Sequence, residues 1–339
     1  MPNTQAEPSS GTILSGMRPT GQIHLGNYFG ALQNWVDLQD SYQCIYTIVD
    51  IHALTTIETP EDISNIRPNI YEMALDWLAA GIDPNQSTIF IQSHIPEVMT
   101  LNTLLSMVTP LGWLMRVPTF KEKVRQMDQT EESVNYGLVG YPILQTADII
   151  LYKADTVPVG QDQLPHLELA REIVRRFNNR LGETFPEPQA KLTKVPLIVG
   201  LDGQQKMSKS LDNHIDLASN DEDTTKRVLT AFTDPQRTTR DTPGRPSVCN
   251  VYSLHRIFTK ESDVTTIEQE CTSATRGCVD CKRQLAQNLN TYLGPMRERR
   301  NELSKRPDDI KDILSVGAKT ARTIAQSTIE EVYEKMGLS

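Results

Sequence analysis

Two short stretches of this 339-residue chain carry residue types suited to gripping phosphate. The first is Pro19-Thr20-Gly21-Gln22-Ile23-His24-Leu25-Gly26-Asn27, lying between a strand pattern and a helix pattern. Open α/β sheets bind nucleotides at such turns. Helix-start amides and the helix dipole favour an anion, glycine lets a ligand approach the backbone, and His24 offers an N–H donor. The second is Lys206-Met207-Ser208-Lys209-Ser210, behind the polar turn Asp202-Gly203-Gln204-Gln205. Two lysines flanking a serine on a flexible loop can clamp the β- and γ-phosphates as pyrophosphate departs. Taken singly, the first stretch reads equally well as a plain strand–turn–helix, and the second as a solvated basic loop. The two in this order, on one α/β pattern, are more specific than either alone.

A third constellation is Cys249, Cys271, Cys278 and Cys281, with gaps of 21, 6 and 2 residues. The close Cys278-Val279-Asp280-Cys281 pair before a helix pattern is a good ligand geometry. Four thiolates fit an iron–sulfur cluster or structural zinc, and unligated thiols are the third reading. Cys44, in a strand pattern, reads as core. His94, His166, His214 and His255 show no metal-binding spacing. Arg297, Arg299, Arg300, Lys305 and Arg306 form a basic group that reads as a solvated helix face, with contact to RNA phosphates as the alternative.

The elements that must position these residues follow a βα rhythm in the first half. Strand patterns cover Thr12–Ser15, Cys44–Val49 and Thr88–Gln92, and helix patterns cover Gly26–Leu38 and Pro60–Leu78, the latter stopped by Gly81. Residues Val98–Gln129 read as helical with breaks at Pro110 and Pro118; Tyr141–Tyr152 and Leu164–Phe177 read as helices, Leu197–Val199 as a short strand. Beyond Asp212 long polar helices dominate, including Lys282–Leu293 and Ala318–Lys335, and the Pro- and Arg-rich stretch Asp234–Pro246 reads as a loop or linker. The expected fold is α/β: a doubly wound parallel-sheet, Rossmann-like catalytic domain at 12–215 with a helical insertion. It is preceded by a tail at 1–11 and followed by a helical domain at 216–339.

The net charge of −9 disfavours indiscriminate binding to nucleic acid but permits a partner gripped by a local basic face. No apolar run reaches the length of a membrane span, and the polar start lacks the features of a secretion signal, so a cytoplasmic location is expected.

His24-Leu25-Gly26-Asn27 resembles the first signature of class I aminoacyl-tRNA synthetases, and Lys206–Ser210 matches their second letter for letter. The segments Gly26–Leu32, Ile48–Ala53, Tyr141–Leu144, Ala147–Ile149, Val157–Gln163 and His166–Leu169 resemble the tryptophanyl branch. The resemblance implies ATP, Mg²⁺, L-tryptophan and tRNA(Trp) as substrates and partners, and a homodimer. It implies that Asp148 accepts the indole N–H, with Tyr141, Gln163 and His52 completing the tryptophan pocket. Arg18, Pro19, Thr20, Gly26, Asn27, Gly160, Gln161, Asp162 and Lys206–Ser210 would surround ATP, while His24, Lys123, Lys206 and Lys209 would act on its phosphates. The four cysteines resemble a subgroup holding a [4Fe–4S] cluster in the anticodon-binding domain, with Zn²⁺ as the other candidate. Gln161 stands where many relatives carry glutamate, and Gln145 where many carry methionine. The trio Tyr141, Gln145 and Asp148 also resembles the spacing of tyrosyl-tRNA synthetases, the nearest rival. A small-molecule nucleotidyltransferase and a non-catalytic RNA-binding relative are more distant ones.

Overall fold

The computed structural model describes residues 11–57, 59–126, 130, 133–192 and 198–339. The tail expected at 1–11 lies outside them except for Gly11. In chain order the elements are β1 (Thr12–Met17), α1 (Leu25–Asn27), a π-helical turn (Tyr28–Leu32), α2 (Gln33–Leu38), β2 (Gln43–Ile48), α3 (Asp50–Ala53), α4 (Pro60–Ala80) and β3 (Ser87–Ile91). There follow α5 (Glu97–Val108), α6 (Leu111–Leu114), α7 (Pro118–Gln126), α8 (Tyr136–Leu151), β4 (Thr156–Val159), α9 (Leu164–Leu181) and β5 (Gln189–Leu192). The helices α10 (Asp221–Leu229), α11 (Asn250–Phe258), α12 (Glu261–Thr272), α13 (Cys278–Ser304) and α14 (Pro307–Met336) complete the chain.

Contacts group these elements into two compact units, neither continuous in sequence. The first comprises residues up to Gly21, Asn34–Lys194 and Arg306–Ser339; the second comprises Gln22–Gln33 and Val195–Lys305. Compactness and chain order thus divide the molecule differently, and the expected division near residue 215 is one of function that packing does not test.

In the first unit five described strands form one parallel sheet in the order β3-β2-β1-β4-β5. Every residue of β2 except Gln43 is buried, the continuous apolar run expected of a parallel strand covered on both faces. The chain runs outward from β1 to β3 and then returns to β4 on the other side of β1. That reversal is a topological switch point, and open sheets bind ligands outside their strands' carboxyl ends there. Those ends lead into Arg18, into Asp50–His52, into Gln92 and into Gly160–Gln163.

Helix α4 is set by Thr59, whose hydroxyl oxygen accepts the Asp62 N–H at 3.1 Å, by Pro60 in its first turn, and by left-handed Gly81 at its end (φ 115°). Edge strand β3 is covered by α14. A Cβ at Gly317 would lie 1.9 Å from the Ile89 carbonyl oxygen, so only glycine permits this approach of helix to strand.

Three departures from the sequence-based expectations stand out. The helix foreseen at Gly26–Leu38 contains the π turn, within which Phe29 stacks against Tyr292 (5.9 Å) and meets Phe258 edge-on (5.5 Å) in the second unit. Strands β4 and β5 were not foreseen as strands. Instead of a sheet strand at Leu197–Val199, Val199 forms an isolated antiparallel bridge with Lys206, and Leu197 is outside the described residues. Among the described residues no helix is long and apolar enough to cross a membrane.

Candidate active site

Asp148 sits on α8, a helix buried on nearly all sides, as its apolar composition dictates. Asn135 caps its start, with the side-chain oxygen accepting the Leu138 N–H at 2.8 Å. A carboxylate in this setting is costly unless its oxygens are hydrogen-bonded. At 4% exposure Asp148 is satisfied by His52 Nε2 at 2.9 Å and by Gln92 Nε2 at 2.9 and 2.7 Å to its two oxygens. Gln92 also accepts the N–H groups of Ile51 (3.1 Å) and His52 (3.2 Å) through Oε1, so one fully buried amide ties the start of α3 to α8. A carboxylate offers about four lone-pair directions, and three contacts leave one for an incoming donor such as an indole N–H.

Around Asp148, Tyr141 is buried on the same helix, with its hydroxyl 3.1 Å from His166 Nε2. Tyr152, one turn beyond Asp148, is pushed to a higher pKa by burial, then by Asp148 and Glu97. Gln163 donates to Asp162 at 2.9 Å in the turn after β4, and exposed Arg18 donates to Thr56 at 3.0 Å. Lys123 falls on α7, and its side chain lies outside the described residues.

The second unit holds His24, Gly26, Asn27 and the Lys206–Ser210 loop. The first stretch is laced to the segment just past the lysine loop: Leu25 N–H donates to the Ile215 carbonyl and Leu217 N–H to the Ile23 carbonyl, both at 2.9 Å. His24 pairs with Asp216 in an antiparallel bridge, and its ring lies 5.9 Å from that of His214. A Cβ on Gly26 would fall 3.0 Å from the His24 ring and 3.1 Å from Met207 Cβ, so glycine permits the signatures to close on each other. Met207 is buried, whereas Lys206 is exposed; the thioether anchors the loop and leaves that ammonium group outward.

His24 caps α1 reciprocally: its Nδ1 accepts the Asn27 N–H, and its own N–H donates to Asn27 Oδ1, each at 3.3 Å. With Nδ1 engaged as an acceptor, the neutral ring carries its proton on Nε2. Burial, then Lys209, His214 and Lys206, lower the His24 pKa to about 4, so near neutrality it is an uncharged Nε2–H donor. Of the helix-start amides, those of Asn27 and Tyr28 bond to the His24 carbonyl and that of Leu25 to the Ile215 carbonyl.

The four cysteines are free thiols placed by helix ends: Cys249 caps α11, Cys271 lies in the last turn of α12, and Cys278 and Cys281 share the first turn of α13. Burial pushes Cys281 up to about 12, reinforced by Cys249, opposed by Arg276, and reinforced again by Cys271 and Cys278, so the four thiols are electrostatic neighbours. Cys281 Sγ is 3.4 Å from His255 Nε2, and Arg237 donates to Cys271 Sγ at 3.7 Å. Among the described residues no set of three or more His, Cys, Asp or Glu side chains is arranged to hold a metal ion.

In the basic group, Arg297 is not part of a solvated face. It bonds to Asp221 and Thr224 of α10 at 2.8 and 2.7 Å and to the Leu217 carbonyl at 3.2 Å. Lys305 and Arg306 pair on the surface with Glu302 and Asp309. Sequence reasoning missed Gln92 and Asn213 as site residues. A polar residue closing an apolar strand run was the available signal for Gln92; Asn213, three residues past the lysine loop, offered none.

The model of the tRNA synthetases class I (W and Y) matches residues 8–294. Curated relatives are the tryptophan–tRNA ligases of Thermotoga maritima, 43% identical over 96% of this chain and 99% of theirs, and of Aquifex aeolicus, 40% identical with the same coverage. Among solved structures, a Campylobacter jejuni tryptophanyl-tRNA synthetase complexed with ADP and tryptophan is similar. Its TM-score is 0.87 at 37% identity, covering 96% of this chain and 100% of that one.

Proposed function

Because this chain belongs to the class I tRNA synthetases for tryptophan and tyrosine and is a tryptophan–tRNA ligase, we propose that it works in two steps through the residues named here. In the first, a carboxylate oxygen of tryptophan attacks the α-phosphorus of MgATP. The bond to the bridging oxygen breaks, tryptophanyl-adenylate forms and pyrophosphate leaves with the electron pair. The nucleophile is already an anion, so the step needs orientation and charge stabilisation rather than a general base. In the second, the terminal ribose 2′-hydroxyl of tRNA(Trp) attacks the mixed anhydride and releases AMP.

The observation that carries this reading is the close packing of the His24 turn on the lysine loop within one compact unit, Gly26 against Met207, with the turn bonded to Ile215–Leu217 just past the loop. His24 donates from Nε2 to a phosphate oxygen, while Lys206 and Lys209 offset charge on the departing pyrophosphate. Asp148 takes the indole N–H, with Tyr141, His52 and Gln163 around the substrate. A donorless competitor such as phenylalanine leaves that buried carboxylate under-satisfied, which is the basis of discrimination. Arg18, Pro19, Thr20, Gly26, Asn27, Gly160, Gln161 and Asp162 remain the ATP contacts, and Lys123 a phosphate contact, on the strength of family likeness.

Lys206→Ala and Lys209→Ala are expected to slow tryptophan-dependent ATP–pyrophosphate exchange by about a hundredfold or more each, the scale of losing one transition-state donor, with tryptophan affinity little changed. Unaltered pre-steady-state rates of adenylate formation would overturn this. Cys249, Cys271, Cys278 and Cys281 are assigned to one [4Fe–4S] cluster, structural zinc being the other candidate. Their electrostatic proximity and the Cys278/Cys281 spacing support a shared ligand of either kind, which would have to draw the thiols into a set that they do not form as placed here. The helices of 216–339 are assigned to anticodon recognition and the working form to a homodimer. The compartment that holds the tRNA substrate, the cytoplasm, is where the chain is placed.

A further inference from the structure

The lysine loop is held by a side chain that lies outside its signature. Asn213 is 3% exposed, and its amide touches both sides of the loop. Oδ1 accepts the Ser208 N–H at 2.7 Å, while Nδ2 donates to the Lys206 carbonyl at 3.3 Å and to Asp202 Oδ2 at 2.8 Å. The other oxygen of Asp202 accepts the N–H groups of Gln204 (3.0 Å) and Gln205 (3.2 Å), the residues leading into the loop. The Asn213 main chain takes part as well, its carbonyl accepting the Leu201 N–H at 2.7 Å. Arg227 braces the neighbouring residues by donating to the carbonyls of Asp212 and His214. The loop therefore hangs between two fixed points, Met207 packed beneath it and the Asn213–Asp202 pair closing its base.

We propose that Asn213, oriented by Asp202, is a positioning residue that holds Lys206 and Lys209 in the arrangement needed for adenylate formation. The chemistry of the contact is directional. A planar amide, with its acceptor and its donors about 2 Å apart on one rigid group, can bond a backbone N–H and a backbone carbonyl two residues apart at the same time. A carboxylate at 213 keeps the bond to Ser208 but sets a second negative charge against Asp202 and leaves the Lys206 carbonyl without its donor. This inference rests on the reading that the lysines act on the triphosphate.

The test is tryptophan-dependent pyrophosphate exchange and single-turnover adenylate formation on the full-length protein. The variants are Asn213→Ala, Asp202→Ala, Asn213→Asp and the swap Asp202→Asn with Asn213→Asp, run beside Lys206→Ala. Asn213→Ala is expected to lower kcat by about ten- to a hundredfold, the scale of stranding buried hydrogen-bonding groups, with the tryptophan KM unchanged. Asp202→Ala should act in the same direction and less strongly, because Asn213 remains. Asn213→Asp should be impaired, and the swap should recover part of its rate, since a donor–acceptor pair is restored across the same gap. A swap without recovery would overturn the proposal, as would a parallel fall in kcat, tryptophan affinity and melting temperature in all variants. Full activity of Asn213→Ala beside a slow Lys206→Ala would remove the positioning role and leave the lysines theirs. Full activity of Lys206→Ala would remove both.

Discussion

Asp148, Gln92 and His52 form a three-member arrangement in which every contact constrains the next. A buried carboxylate is stable here because His52 and Gln92 meet it, and Gln92 is itself fixed by two backbone N–H groups at the start of α3. The direction in which Asp148 presents its remaining lone pair is therefore set by an amide that never needs to touch substrate. Asp148→Ala is expected to weaken tryptophan binding by about ten- to a hundredfold, the scale of a hydrogen bond to a charged group. Gln92→Ala should produce a smaller loss, and Gln92→Glu a larger one than Gln92→Ala, because it opposes two carboxylates in a dry site. Isothermal titration with tryptophan measures all three. An unchanged dissociation constant in Asp148→Ala would take Asp148 out of the pocket, and one in Gln92→Ala would mean that His52 alone orients it.

Helix ends organise the cysteines. Cys278 and Cys281 are one turn apart at the start of α13, where the helix dipole favours a thiolate, yet burial keeps Cys281 protonated well above neutrality. Loading a metal must expel those protons, and the gain from thiolate ligation has to exceed that cost. Anaerobically purified protein is expected to contain about four iron and four sulfide per chain. Cys278→Ser should lose them and melt earlier while retaining pyrophosphate exchange. Zinc in place of iron and sulfide would select the other candidate, and neither would leave the thiols as packing. At this scale much was legible beforehand: β1, β2, β3, α4 and α9 carry clear apolar patterns and clear stops. What was not legible has physical reasons. Strand β4 is four residues long and includes Pro158, and β5 is polar and mostly exposed, so neither shows a hydrophobic period. The π turn at Tyr28–Leu32 has no local sequence signal, and the antiparallel pairing of the His24 turn with Ile215–Leu217 joins residues whose proximity no local pattern encodes.

A chain of net charge −9 that must hold a polyanion relies on local rather than global attraction. Part of its basic inventory is committed internally: Arg297 to α10, Arg245 to Asp234, and Arg175 to Glu187 and its neighbours. The cations available to tRNA phosphates are thus fewer than a count of lysine and arginine implies, and acidic surface repels the rest of the nucleic acid. Two consequences follow for aminoacylation. Raising monovalent salt should raise the KM for tRNA steeply, because each phosphate contact adds a slope of about 0.7 to 0.9 in log KM against log salt. Tryptophan-dependent pyrophosphate exchange, which involves no tRNA, should change far less over the same range. Parallel assays of the two reactions across a salt series separate them. A tRNA KM that is flat in salt would mean that recognition runs through base contacts and shape alone, and an exchange reaction that is equally salt-sensitive would move the dominant charge effect from the tRNA surface to the lysine loop.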